Sequence, residues 1–119
     1  MGDKKIFICD DDSGIIDVLK IILEESTDAE IIAESRSAYA FERLVMERPD
    51  ILIVDLWMPE VSGPQIISSV RNCPVLQDIY IISISASYGG KKIAMDAGAD
   101  IFLPKPFDMD EILSLVQDR

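Results

Sequence analysis

Five side chains in this sequence are of the types that handle phosphoryl groups and divalent cations. Asp10 and Asp11 follow an apolar run, Lys5 to Cys9 (KIFIC). Asp55 closes a second run, Ile51 to Val54, that is unbroken and rich in β-branched residues. Ser85 ends a third, and Lys105 stands between Pro104 and Pro106. Such apolar runs read as strands covered on both faces, and open α/β sheets place their chemistry at the carboxyl ends of their strands. Three carboxylates gathered there repel one another. Two unit charges about 4 Å apart cost on the order of 4 kcal/mol at an effective dielectric near 20. The pocket must therefore raise a pKa, bind a cation, or both. Oxygen-only ligands suit a hard ion such as Mg²⁺ (or Mn²⁺). A carboxylate such as Asp55 can attack a phosphoryl donor, with Lys105 as a point charge and Ser85 as a hydroxyl donor.

The elements that must bring these residues together alternate without interruption. Strands are expected at Lys5 to Cys9, Glu30 to Glu34, Ile51 to Asp55, Asp78 to Ile84 and Asp100 to Leu103. A helix follows each. The first, capped by Asp12 or Ser13, carries Ile15, Val18, Leu19, Ile22 and Leu23 at helical spacing. The second starts at Ser37 with Ala38, Phe41, Leu44 and Val45 on one face, and Pro49 stops it. The third opens at Ser62-Gly-Pro64, with Ile67 and Val70 inward. After a break at Tyr88-Gly-Gly90, the fourth runs from Lys91 to Ala97 and ends at Gly98. Asp108 and Glu111 form a capping box for the last, whose buried stripe is Met109, Ile112, Leu113 and Val116. Five βα units with short links predict one α/β domain over residues 1–119, a parallel sheet with helices on both faces and no output domain. In the order 2-1-3-4-5, strands one and three meet at the switch point, and the polar groups converge there.

Bulk properties narrow the function. The chain has 119 residues and a net charge of −11. That balance disfavours direct binding to nucleic acid or to an anionic membrane and suits divalent cations and basic partners. No histidine is present, which removes His-based triads and His-ligated zinc. The two cysteines, Cys9 and Cys73, give no disulfide framework, and a buried free thiol in a reducing cytoplasm is the expectation for Cys9. No apolar stretch is long enough for membrane insertion, and Ile6 stands where a myristoylation motif at Met1-Gly2 requires Ser or Thr.

The segments ICDDD, IVDLWMPEVSG, ISISAS and GADIFLPKPF, in this order and spacing, resemble a response-regulator receiver domain, the phosphoacceptor of two-component signalling. The resemblance spans the chain and implies a flavodoxin-like fold. It implies that Asp55 is phosphorylated by a sensor histidine kinase, a histidine phosphotransfer protein or a small phosphodonor. It further implies that Asp10, Asp11, Asp55 and the backbone carbonyl of Trp57 hold Mg²⁺. Ser85 would move toward the phosphoryl group and Lys105 would contact it. Phe102 matches the aromatic switch position, here without a hydroxyl. The Lys105-Pro106 bond matches a cis peptide of the family. Trp57 and Ser87 would border the path of attacking water. Output would pass through the face of the fourth helix, fifth strand and last helix, which also allows a phosphorylation-dependent dimer.

Two other functions fit parts of the pattern. Asp10-x-Asp12 imitates the nucleophile and acid pair of a Mg²⁺-dependent phosphohydrolase of the haloacid-dehalogenase type, but that reading leaves Asp55 idle. An FMN carrier of similar topology needs a Ser/Thr/Gly-rich phosphate loop after strand one, where this chain has three aspartates.

Overall fold

The run Ile51–Asp55 forms β3, buried at every residue. It lies in the middle of a five-stranded sheet of order β2-β1-β3-β4-β5, every pairing parallel. The other strands are β1 (Lys5–Cys9), β2 (Glu30–Glu34), β4 (Tyr80–Ser85) and β5 (Ile101–Pro104). The helices are α1 (Ser13–Ser26), α2 (Ser37–Glu47), α3 (Gly63–Arg71), α4 (Gly90–Ala97) and α5 (Met109–Gln117). This computed structural model describes residues 4–87 and 89–119. The Met1-Gly2 start and Tyr88 of the expected break lie outside the described residues.

Alternation along the strands divides the core in two. Phe7, Cys9, Leu52, Val54 and Ile81 pack with Ala40, Leu44, Ile66, Ile67 and Val70 on the α2–α3–α4 face. Ile6, Ile8, Ile51, Ile53, Ile82 and Ile84 pack with Ile16, Leu19, Leu23, Ile112 and Val116 on the α1–α5 face. A strand covered on both faces needs apolar residues at every position, which is why these runs do not alternate with polar ones.

The helix starts follow their local chemistry. Asp12 caps α1, its Oδ1 accepting from the backbone N–H groups of Gly14 (2.9 Å) and Ile15 (3.4 Å). Ser62 and Gln65 form a reciprocal box at α3, and Asp108 and Glu111 form the expected one at α5. Gly98 ends α4 at φ 119°, a left-handed value that favours glycine.

Several expected helix faces are rotated. Val18 is exposed, and Ile16, outside the expected stripe of α1, is buried. In α2, Ala38 and Phe41 face outward while Ser37, Ala40 and Leu44 are buried. Both helices touch the sheet along a narrow i, i+3, i+7 arc, so wider apolar stripes overrun it. β4 begins at Tyr80, two residues after the expected Asp78, and β5 runs to Pro104. Among the described residues, no helix is long and apolar enough to cross a membrane.

Candidate functional site

Strand register assembles the site. Cys9 pairs with Val54 across β1 and β3, so Asp10 leaves the sheet beside Asp55. Asp55 pairs with Ile84, which sets Ser85 one step further along β4. Ser85 pairs with Pro104, and the next backbone N–H, that of Lys105, donates to the Ser85 carbonyl at 2.8 Å. Four strand ends thus deliver the residues singled out above to one edge.

Carboxylate oxygens of Asp10, Asp11 and Asp55 lie within 4.8 Å of one another. Asp10 is 1% exposed and Asp55 6%, while Asp11 is exposed. Lys105 Nζ reaches both buried carboxylates, at 3.2 Å from Asp10 Oδ2 and 3.2 Å from Asp55 Oδ1. The remaining oxygen of Asp10, Oδ1, accepts from the Asp12 backbone N–H at 2.9 Å. One ammonium therefore faces three carboxylates. Burial, and next the charge of Asp10, pushes the Asp55 carboxyl up to about 6. Burial also raises Asp10, against the opposing pull of the Asp12 N–H and Lys105. For Lys105 burial works downward, but Asp10 and Asp55 outweigh it and the net direction is upward. At neutral pH Asp55 is mostly ionised, in a pocket with too little positive charge. An all-oxygen donor set with uncompensated negative charge fits a hard divalent cation.

The other expected residues fall around this centre. Ser85 is fully buried, and its Oγ accepts from the Ser87 N–H at 3.0 Å. Phe102 is half-buried with its ring against Gly90, where an added Cβ would meet Phe102 and Leu56 carbons at 3.0 Å. Trp57 is 48% exposed in the segment after β3. The Lys105-Pro106 peptide is cis. Asp12 is occupied as the α1 cap, away from the role that a phosphohydrolase reading assigns it. Cys9 is a buried free thiol, pushed up to about 12 by burial first and then by Glu34 and Asp10.

Two features escaped the sequence. Ser37 reads there as an ordinary helix start, yet its hydroxyl is buried and bridges to the segment after β3, bonding the Pro59 carbonyl and the Val61 N–H. Arg71 is not singled out by any local pattern, yet it reaches four acceptors on other segments. Both depend on partners far away in the chain, and no local pattern signals them.

Known proteins resemble this chain over nearly all of its length. The response regulator receiver domain family matches residues 6–117. Among curated relatives, the transcriptional regulatory protein KdpE of Mycobacterium tuberculosis is 31% identical over 92% of this chain and 47% of its own length. Response regulator Rre1 of Synechocystis is 28% identical over 95% of this chain and 50% of its own. The chain spans about half the length of the curated relatives it matches. Among solved structures, chemotaxis protein CheY4 of Vibrio cholerae superposes with a TM-score of 0.88 at 23% identity, covering 98% of both chains. The receiver domain of Francisella response regulator 1452 gives 0.87 at 24% identity, covering 98% of this chain and 95% of that one. These two likenesses are of fold. With the family matched from Ile6 to Gln117 on a five-stranded sheet of this order, the chain belongs to the response regulator receiver domains, the signalling domains of two-component systems.

Proposed function

We propose that Asp55 is the phosphoacceptor of a two-component phosphorelay. The observation that carries this reading is the buried Asp55 carboxylate, 3.2 Å from Lys105 and beside Asp10 and Asp11. An Asp55 oxygen forms a bond to the phosphorus of the donor. The donor's P–N bond breaks when the donor is a phosphohistidine, or its P–O bond when it is an acyl phosphate. The electron pair departs with imidazole or carboxylate. Lys105 turns from the two carboxylates toward the incoming phosphoryl oxygens, where its charge is worth most while negative charge is spread over them. Asp10, Asp11, Asp55 and the Trp57 carbonyl would hold Mg²⁺ (or Mn²⁺), which when bound supplies the positive charge that one lysine cannot. Attack by water on the phosphorus later returns the Asp55 carboxylate and inorganic phosphate.

The output is conformational. Ser85 Oγ leaves the Ser87 N–H and moves toward the phosphoryl group, and the Phe102 ring moves with it against α4. The α4–β5–α5 face then changes shape and alters partner binding or dimerisation. This chain acts in the cytoplasm, and its partners are a sensor histidine kinase or histidine phosphotransfer protein upstream and an output protein or domain downstream.

Incubation with acetyl phosphate, followed by intact mass at neutral pH, tests the reading. One added phosphoryl group is expected with Mg²⁺ and none with EDTA or in Asp55→Asn. An unmodified wild-type protein, or equal modification of Asp55→Asn, rejects it.

A further inference from the structure

We infer that Ser37, at the start of α2, is a positioning residue for the phosphorylation pocket. The segment between β3 and α3 carries Trp57 and borders Asp55, so its path decides what faces the acidic cluster. It is held at its base because the Gly63 N–H donates to the Leu56 carbonyl at 2.8 Å. Gly63 there packs so closely that an added Cβ would lie 2.3 Å from the Asp55 carbonyl oxygen. Met58 is anchored too, buried with its Sδ 3.8 Å from Cys9 Sγ. The tip has a different hold. Pro59, Glu60 and Val61 form a three-residue turn, closed by the Val61 N–H donating to the Pro59 carbonyl at 3.0 Å. Glu60 sits in this turn at φ 73°, a left-handed value that is unfavourable for a residue with a side chain. Such a turn persists where its surroundings over-determine it.

Ser37 supplies that constraint. Its hydroxyl donates to the Pro59 carbonyl and accepts from the Val61 N–H at 3.0 Å, so one oxygen clamps both ends of the turn. Ser37 is buried, which strengthens both bonds and makes their loss costly. Its hydroxyl does not cap its own helix; the residue before it, Arg36, makes no side-chain cap either. Arg36 instead pairs with both Glu60 carboxylate oxygens, at 3.3 and 3.2 Å, and lies over the Tyr39 ring. That outer pair is exposed and adds little. The start of α2 is thus built around the turn, with Ser37 as its inner latch. Without the hydroxyl the tip can relax away from φ 73°, and residues 57–58 beside Asp55 are then held only by the base at Leu56 and the packing of Met58.

This inference rests on the Mg²⁺-dependent phosphoacceptor reading. Its test is a Mg²⁺ titration followed by the fluorescence of Trp57, the sole tryptophan, and by calorimetry. Ser37→Ala should weaken Mg²⁺ binding roughly three- to tenfold, the span that loss of one or two hydrogen bonds covers. Amide hydrogen exchange across residues 57–62 should speed up in the same variant. Ala40→Gly is the control, since it removes a buried methyl and adds backbone entropy in the same first turn of α2 while leaving the Ser37 hydroxyl and its two bonds to the turn in place. It should leave both readouts at wild-type values. If Ser37→Ala does not fold, Ser37→Gly lacks the same hydroxyl and carries the same expectation. Wild-type affinity and exchange in the Ser37 variant, or an equal loss in Ala40→Gly, would overturn the latch. Wild-type protein that neither binds Mg²⁺ nor accepts a phosphoryl group would overturn the phosphoacceptor reading and the latch with it.

Discussion

Strands β4 and β5 are closed at both ends by a cation and a carboxylate, and the two closures are built on opposite principles. At the amino ends, Arg71 donates to Asp100 Oδ2, to the carbonyls of Gln77 and Ile79, and to the Gly98 carbonyl, all at 2.7–2.8 Å. Asp100 Oδ2 also accepts the Ile81 N–H at 2.8 Å. One cation meets one carboxylate, and the guanidinium fork ties α3, the loop before β4, the end of α4 and the approach to β5. At the carboxyl ends, Lys105 meets two buried carboxylates with a third nearby, each contact longer at 3.2 Å. A flexible ammonium suits a site whose ligands must change, whereas a planar fork suits one whose partners must not. Balanced charge marks the end that holds the fold. Unbalanced charge marks the end whose oxygen donors suit a cation.

The largest effect should come from breaking the balanced end. Arg71→Ala removes the donor to three backbone carbonyls and leaves Asp100 with the Ile81 N–H but no cation, and urea unfolding should show a loss of about 2–4 kcal/mol. A loss below about 1 kcal/mol would mean that the clasp is ornamental. At the other end, filling the pocket should stabilise the protein. Mg²⁺ at ten times its Kd should add about 1.4 kcal/mol, reversed by EDTA and largely absent in Asp10→Asn. Thermal melts that ignore Mg²⁺ would remove the cation from the account.

Removing charge from the pocket should also stabilise it, the reverse of the clasp. The Asp55 carboxyl rises from 3.8 to about 6 on folding, so the folded state holds this proton more tightly than the unfolded chain. The stability linked to it is complete below pH 3.8 and is lost as pH rises through about 6. Metal-free Asp55→Asn should accordingly melt a few degrees above wild type at pH 7, with the gain shrinking at pH 5 and vanishing near pH 4. A gain that is flat with pH would assign it to packing rather than to charge. The smallest effect belongs to the exposed Lys92–Asp96 pair on α4, at 3.0 Å. Lys92→Ala should change stability by less than about 0.5 kcal/mol, which sets the baseline against which both strand-end closures are measured.

The acidic pocket was legible because its members are strand-end residues. Once Lys5 to Cys9, Ile51 to Val54 and the runs before Ser85 and Lys105 read as parallel strands, Asp10, Asp55, Ser85 and Lys105 had one edge to share. Asp12 as a helix cap and the Asp108–Glu111 box were equally readable, since a cap is made within four residues. Helix faces were less so. Ile15, Ile16, Val18 and Leu19 are all apolar, and periodicity admits more than one stripe through them. Contact with the sheet selected Ile16, Leu19 and Leu23.

Local patterns therefore settled the five βα units, the strand ends that carry the site and the helix caps, because each depends on neighbours in the chain. Helix rotation, the Ser37 latch on residues 59–61 and the Arg71 clasp on Asp100 were settled by folding. Ser37 and Val61 are 24 positions apart, and Arg71 and Asp100 are 29. Hydrogen bonds between segments so distant exist only after the sheet has set helix and loop side by side. A serine at a helix start and an arginine at a helix end look the same in sequence whether or not such a partner arrives.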